Sequence, residues 1–196
     1  MTQETAGTRR GPYRKGVERR RRIVETAVEV FAAKGYTSGS MREIATRVGL
    51  TQAGLLHHFA DKEELLTEVL NARDGSVDAA LAEREATTLR EALAGIAEHN
   101  RREQGLTSVF TILSAEATNE DHPAHGYFTR RYREQHAASV AAVRAEQAAG
   151  RMRADVPPEV LASLLIAALD GLQLQQSYLP EIDPTEVLEA LFTERD

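Results

Sequence analysis

The chain of 196 residues carries 24 Lys or Arg against 30 Asp or Glu, a formal charge of −6, and is long enough to bury a core without metal or disulfide staples. It has no cysteine, which excludes thiol catalysis, cysteine-ligated zinc and a disulfide framework. No apolar run approaches the roughly 18 residues of a membrane span, and the polar, basic first thirty residues do not read as a signal sequence, so a soluble, cytoplasmic protein is expected. The charge is uneven: residues 1–60 hold eleven basic and five acidic side chains, a balance of +6, and the remainder sums to −12. Such asymmetry suits a basic head for a polyanion and an acidic body with another task, although a charged run alone also fits a solvated face.

Residues 1–16 lack helical periodicity and read as a flexible basic arm. From Arg19, the apolar residues Ile23, Val24, Ala27, Val28, Val30 and Phe31 recur at helical spacing, with Gly35 as a stop. The leading turn Arg19 to Arg22 opposes the helix dipole unless something anionic offsets it. Ser40 and Glu43 form a capping-box pattern before a second helix with Met41, Ile44, Ala45 and Val48 on one face, ended by Gly49. Thr51 opens a third short helix carrying Leu55, Leu56 and Phe59. Asp61 and Glu64 repeat the capping pattern before a fourth helix with Leu65, Leu66, Val69 and Leu70 buried. After Gly75 the punctuation predicts helices near 76–100, 106–118, 124–149, 158–178 and 185–194. The expected fold is all-α, with a helix-turn-helix domain over 17–60 and a larger helical domain over 61–196.

Two short helices joined at Gly49 have the size to set one helix in a major groove while its partner crosses the backbone. Thr51 and Gln52 would then offer hydrogen bonds to base edges, and Ala53 could meet a thymine methyl. Lys62, at a helix start, is suited to a phosphate.

The run FAAKGYTSGSMREIATRVGLTQAGLLHHFADKEELL, with the helix before it, resembles the DNA-binding domain of the TetR (tetracycline repressor-like) family over roughly residues 19–70. The resemblance implies a homodimeric helical repressor with three N-terminal DNA-binding helices and a divergent ligand-binding domain. It implies base or phosphate contacts from Thr51, Gln52, Ala53 and His57, with support from Arg42 and Lys62. Leu56 departs from the pattern, which commonly has a phosphate-contacting tyrosine there, and the arginine-rich approach, Arg19 and Arg20 included, could supply the missing affinity.

The adjacent His57 and His58 diverge on a helix and cannot chelate one metal, so His58 is expected beneath the recognition helix. Asp121, His122 and His125 flank Pro123 and read as a capping loop; no metal and no cofactor is called for. No catalytic arrangement of residues stands out, so no enzyme is expected. Val160 to Leu179 is apolar almost all round and must cover two faces, one of them on a second subunit. Leu161, Leu165 and Leu172, with Leu188, Leu191 and Phe192 from the last helix, are the candidate dimer interface. An effector cavity among the middle helices has Phe110, Leu113, Tyr127, Phe128, Tyr132, Leu169, Gln173 and Tyr178 as candidate lining. The expected partners are therefore double-stranded operator DNA, a small-molecule effector and a second copy of the chain, with no membrane. The competing readings are an activator and, from another class, a helical enzyme or interaction module with a basic docking arm.

Overall fold

The computed structural model of the protein describes residues 11–192, with side chains from Arg14 onward. Among the described residues there are nine helices and no strand: α1 (Gly11–Ser38), α2 (Met41–Arg47), α3 (Gln52–Leu56), α4 (Lys62–Arg84), α5 (Leu89–Arg102), α6 (Gln104–Glu116), α7 (His125–Ala148), α8 (Pro158–Gln176) and α9 (Pro184–Glu189).

Capping sets the boundaries of the short helices. Ser40 Oγ accepts from the Glu43 amide at 3.3 Å, Thr51 Oγ1 from Gly54 at 3.0 Å and Asp61 Oδ1 from Glu64 at 2.8 Å, each satisfying an amide that the first helical turn leaves without a backbone partner. Neither capping pattern closes reciprocally. Glu43 turns instead to Lys34 and Arg47, and Glu64 Oε2 accepts from Ala60, one residue before the cap, at 2.6 Å. The turn between α2 and α3 is a Schellman closure in which Leu50 N donates to Ala45 O at 2.8 Å and Gly49 N to Thr46 O at 3.1 Å. It requires the left-handed backbone that Gly49 adopts at φ 72°.

Three boundaries differ from the sequence expectation. Residues 11–16 continue α1, so the arm enters helix at Gly11 and its first ten residues lie outside those described. Arg19 to Arg22 consequently sit two turns inside a helix, where the dipole that they were expected to oppose has faded. Gly75 does not end α4; the break comes at Glu85, in left-handed conformation at φ 48°. The reciprocal capping box Thr88 and Glu91 then starts α5.

Two cores result. One joins α1 through α4 to α6 and the start of α7: Ile23, Val30, Phe31, Ile44, Leu55, Phe59, Leu65 and Leu113 have no exposed surface. Fully burying each such side chain stabilises by about 1.5–3 kcal/mol. The other joins α5, α7, α8 and α9 through Leu93, Val143, Leu161, Leu165, Leu169, Leu172 and Leu188. The first core runs past residue 60, so the head is built against α4 and α6 instead of standing on its own.

Head and body meet at Gly35. Its backbone (φ 73°, ψ 174°) breaks the helical run, and the Glu116 carboxylate at the end of α6 fits against it, accepting from Tyr36 N at 2.7 Å. A Cβ at position 35 would lie 2.0 Å from Glu116 Oε1. Tyr36 packs edge-on to His122, with centroids 5.1 Å apart.

Candidate nucleic-acid interface and buried chamber

Helix α3 is too short to stand alone; Leu55 and Phe59, both fully buried, anchor it to α1 and α2. That anchoring leaves Gln52, Ala53, Leu56 and His57 on the outer side, all exposed, and Arg42 is exposed on α2. Gln52, Ala53 and His57 are thus presented together, and Leu56, 44% exposed, adds an apolar contact in their midst. Thr51 is exposed, but its hydroxyl oxygen serves as the α3 cap. His58 is half-buried behind the helix, and its carbonyl accepts from Arg20.

The basic residues divide into free and engaged. Arg20 is turned inward: its guanidinium lies 4.0 Å from the Phe59 ring centroid and pairs with Glu64 and Glu68 at 3.0 and 3.5 Å. It braces α4 against the head. Arg19 donates to Val48 O at 3.2 Å and so holds the end of α2. Lys62 donates to Thr37 O at 3.3 Å and lies 4.2 Å from the Tyr36 ring centroid. Burial lowers its pKa, opposed by Glu116. Asp61, Glu63 and Glu64 surround the α4 N-terminus, so the phosphate expected there would meet carboxylates. Arg14, Lys15 and Arg22 remain exposed along α1.

The histidines of the α6–α7 loop are engaged in loop structure. His122 Nδ1 accepts from Ala124 N at 3.1 Å, and His125 Nδ1 lies 2.9 Å from Ala117 O.

In the body, the expected cavity residues are only partly brought together. Phe110, Leu169 and Gln173 line an enclosed chamber of about 40 Å³, together with Arg73, Val77, Ile96, Arg131, Gln135 and Asp170. Leu113 and Phe128 instead fill the head-side core. The Tyr127 hydroxyl donates to Asp74 and that of Tyr132 to Asp170 at 2.8 Å. Burial, then the bond to Asp170, pushes Tyr132 up to about 12. Tyr178 is 77% exposed beyond the end of α8 and is not part of the chamber lining. A larger groove, about 780 Å³, is elsewhere, open between α1, α4 and the start of α6. It is open to solvent along its length, and the smaller chamber is the more enclosed of the two.

Arg73, Arg131 and Asp170 were not foreseen. Their signal was present: Arg73 falls in phase with Leu66, Val69, Leu70 and Val77 on the buried side of α4, once that helix is continued through Gly75.

The expected dimer residues also need correction. Leu161, Leu165, Leu172 and Leu188 are each at most 4% exposed and fill the chain's own core. Leu191 and Phe192 pack at its edge, Phe192 beneath Arg90 at 4.8 Å. The outward apolar stripe is one residue out of phase: Val160, Leu164 and Leu174 are about half exposed, as is Val187 on α9. A step of one residue turns a helix by about 100°, enough to exchange the inner face for the outer.

A capped, two-helix unit presenting polar side chains from a buttressed second helix, on a larger helical body, defines a helix-turn-helix DNA-binding regulator. Residues 23–69 match the family model described as bacterial regulatory proteins, tetR family. The chain is 31% identical over 156 residues to the HTH-type transcriptional repressor Rv1474c of Mycobacterium tuberculosis, covering 79% of this chain and 80% of that one. It therefore belongs to the tetR family of bacterial regulatory proteins. Among solved structures, a putative transcriptional regulator from Saccharomonospora viridis in complex with choline superposes with a TM-score of 0.72 at 24% identity, covering 91% of this chain and all of that one. AibR in complex with isovaleryl coenzyme A and operator DNA gives 0.69 at 24% identity, over 88% and 96% of the two chains.

Proposed function

We propose that the protein is a cytoplasmic repressor that binds a pseudo-palindromic operator as a homodimer and releases it when a small molecule occupies the body. The observation that carries this reading is the outer face of α3, where Gln52, Ala53 and His57 stand exposed while Leu55 and Phe59 lock the helix from behind. Gln52 has the geometry for a bidentate contact to adenine, and Ala53 for a thymine methyl. Arg42, Arg14, Lys15 and Arg22 supply sequence-independent attraction to phosphates. The named repressor function of the Mycobacterium relative, and the operator bound by AibR, support the same reading.

Dimerisation follows from the outward stripe on α8 and α9. Val160, Leu164, Leu174 and Val187 present apolar surface to water on adjacent helices, and a two-fold four-helix contact would cover it. Two heads could then meet half-sites about 34–36 Å apart or a multiple of that spacing. In this reading the head spans 17–60 and the sensor body 61–196. Ligand binding releases DNA by favouring a body shape in which the heads no longer match successive grooves, and no catalysis is involved.

The test is a gel shift against the DNA upstream of the protein's own gene. Salt-dependent, sequence-selective binding is expected, and Gln52→Ala should lower selectivity by about 1–3 kcal/mol at one base pair of each half-site. Equal binding to random DNA, or unchanged selectivity in the variant, would refute the reading. Transcription in vitro from that promoter should fall on adding the protein; a rise would make it an activator.

A further inference from the structure

Among the described residues, the chamber in the body holds a charge with no direct counter-charge. Arg73 is 4% exposed, lies 4.6 Å from the Phe110 ring centroid, and makes one long hydrogen bond, to Asn100 Oδ1 at 3.4 Å. The nearby carboxylates are occupied elsewhere: Asp74 by Arg131 and Tyr127, Asp170 by the Tyr132 hydroxyl. Burial, and then repulsion by Arg131, lowers Arg73 to about 10, a value at which it still carries its charge at neutral pH. A buried cation without a direct counter-ion is among the costliest features a fold can hold.

A second group in the same chamber is unsatisfied in the opposite sense. Gln173 is 8% exposed, and its Oε1 receives no donor from the described residues. It stands between the enclosed chamber and an open groove of about 430 Å³ lined by Asn100, Gln104, Thr107 and Ser108. Asn100, the partner of Arg73, lines the same groove. A buried donor that lacks an anion therefore lines the same chamber as a buried acceptor that lacks a donor, and that acceptor also borders an open groove.

We infer that the effector is a small hydroxy- or amino-carboxylate, its carboxylate paired with Arg73 and its hydroxyl or amino group donating to Gln173 Oε1. The inference rests on the proposed reading of the chain as a ligand-responsive regulator. A guanidinium and a carboxylate meet in two parallel hydrogen bonds, which suits a planar head in a confined space. About 40 Å³ takes about three water-sized groups at roughly 10–15 Å³ each, enough for the carbon and two oxygens of the carboxylate; the rest of the molecule would lie toward the groove that Gln173 also lines. A cationic effector fits less well, because both guanidiniums already lie against Phe110, at 4.6 and 4.9 Å, and the two carboxylates are engaged.

The experiment uses the full chain with L-lactate and L-alanine, their four- and five-carbon homologues, propionate, and lactamide as the uncharged match. Thermal unfolding and release of a bound operator fragment are both measured. At least one hydroxy or amino acid should raise Tm and weaken operator binding about tenfold. Propionate should act more weakly and lactamide not at all, and the lactate and alanine series separate hydroxyl from amino recognition. Arg73→Met should raise the Tm of the ligand-free protein by about 3 °C and abolish the response to the acids. Gln173→Leu should erase the difference between lactate and propionate. The inference is overturned if no acid shifts Tm, if lactamide acts as strongly as lactate, or if Arg73→Met lowers the ligand-free Tm, which would make Arg73 a structural cation. Selective DNA binding that ignores every acid sinks this inference alone; absence of DNA binding sinks the reading beneath it.

Discussion

Replacing Gly35 by alanine tests whether head and body are latched through Glu116. The backbone there (φ 73°, ψ 174°) lies in a region that is essentially glycine's own, so a side chain adds strain of about 1–3 kcal/mol. The added Cβ would also lie 2.0 Å from Glu116 Oε1 and expel the carboxylate from Tyr36 N. A hydrogen bond to a charged group contributes about 1.5–3 kcal/mol. Gly35→Ala should therefore cost about 3–5 kcal/mol in urea denaturation, and Glu116→Ala alone about 1.5–3. Because both variants remove the same bond, the double variant should be no less stable than Gly35→Ala. The resulting coupling of about 1.5–3 kcal/mol is well above the scatter of independent sites. Additivity within about 0.5 kcal/mol, or a Gly35→Ala variant as stable as the parent, would refute the latch.

Arg42→Ala should weaken binding to all DNA sequences alike and reduce the slope of log affinity against log salt by about 2, one contact from each of the two heads, as measured by salt titration. Leu164→Asp places a charge in the outward stripe of α8 and should give a folded monomer by light scattering; the corresponding change at the buried Leu165 should instead unfold the chain. Burial holds the His122 imidazole below its ordinary 6.5, against the pull of Glu116 and with repulsion from Lys62. The unfolded chain therefore binds this proton more readily, so the stability linked to it is complete above the unfolded value and is lost as pH falls from there through the lower folded value. His122→Gln should flatten that part of the decline in Tm measured between pH 7.5 and 5.5.

How much of this was legible in the sequence depended on whether a signal was local. Ser40, Thr51 and Asp61 cap helices because their side chains reach amides two or three residues on, and Gly49 turns where only a left-handed residue fits. Gly75 misled because glycine costs a helix only about 1 kcal/mol; the packing of Leu70, Arg73 and Val77 on one side of α4 outweighs that cost. The same error hid Arg73, since a residue placed beside a break has no buried phase. Leu161 and Leu165 could not be told from Val160 and Leu164, because a helix apolar all round gives no reference for which face its own domain takes. Arg20 and Lys62 looked available for phosphate because Glu64, Glu68 and the Thr37 carbonyl come close only once the chain has folded.

The continuity of α4 joins two distant chemistries with a rigid rod. Eleven residues separate Lys62, at the edge of the head, from Arg73 in the chamber, about 16 Å at the helical rise. A tilt of about ten degrees, pivoted at the chamber end, would carry the head end by about 3 Å. On duplex DNA that displacement is comparable to the rise of one base pair. With a second head bearing the opposite displacement, two half-sites would fall out of step together, without any change in the residues that read them.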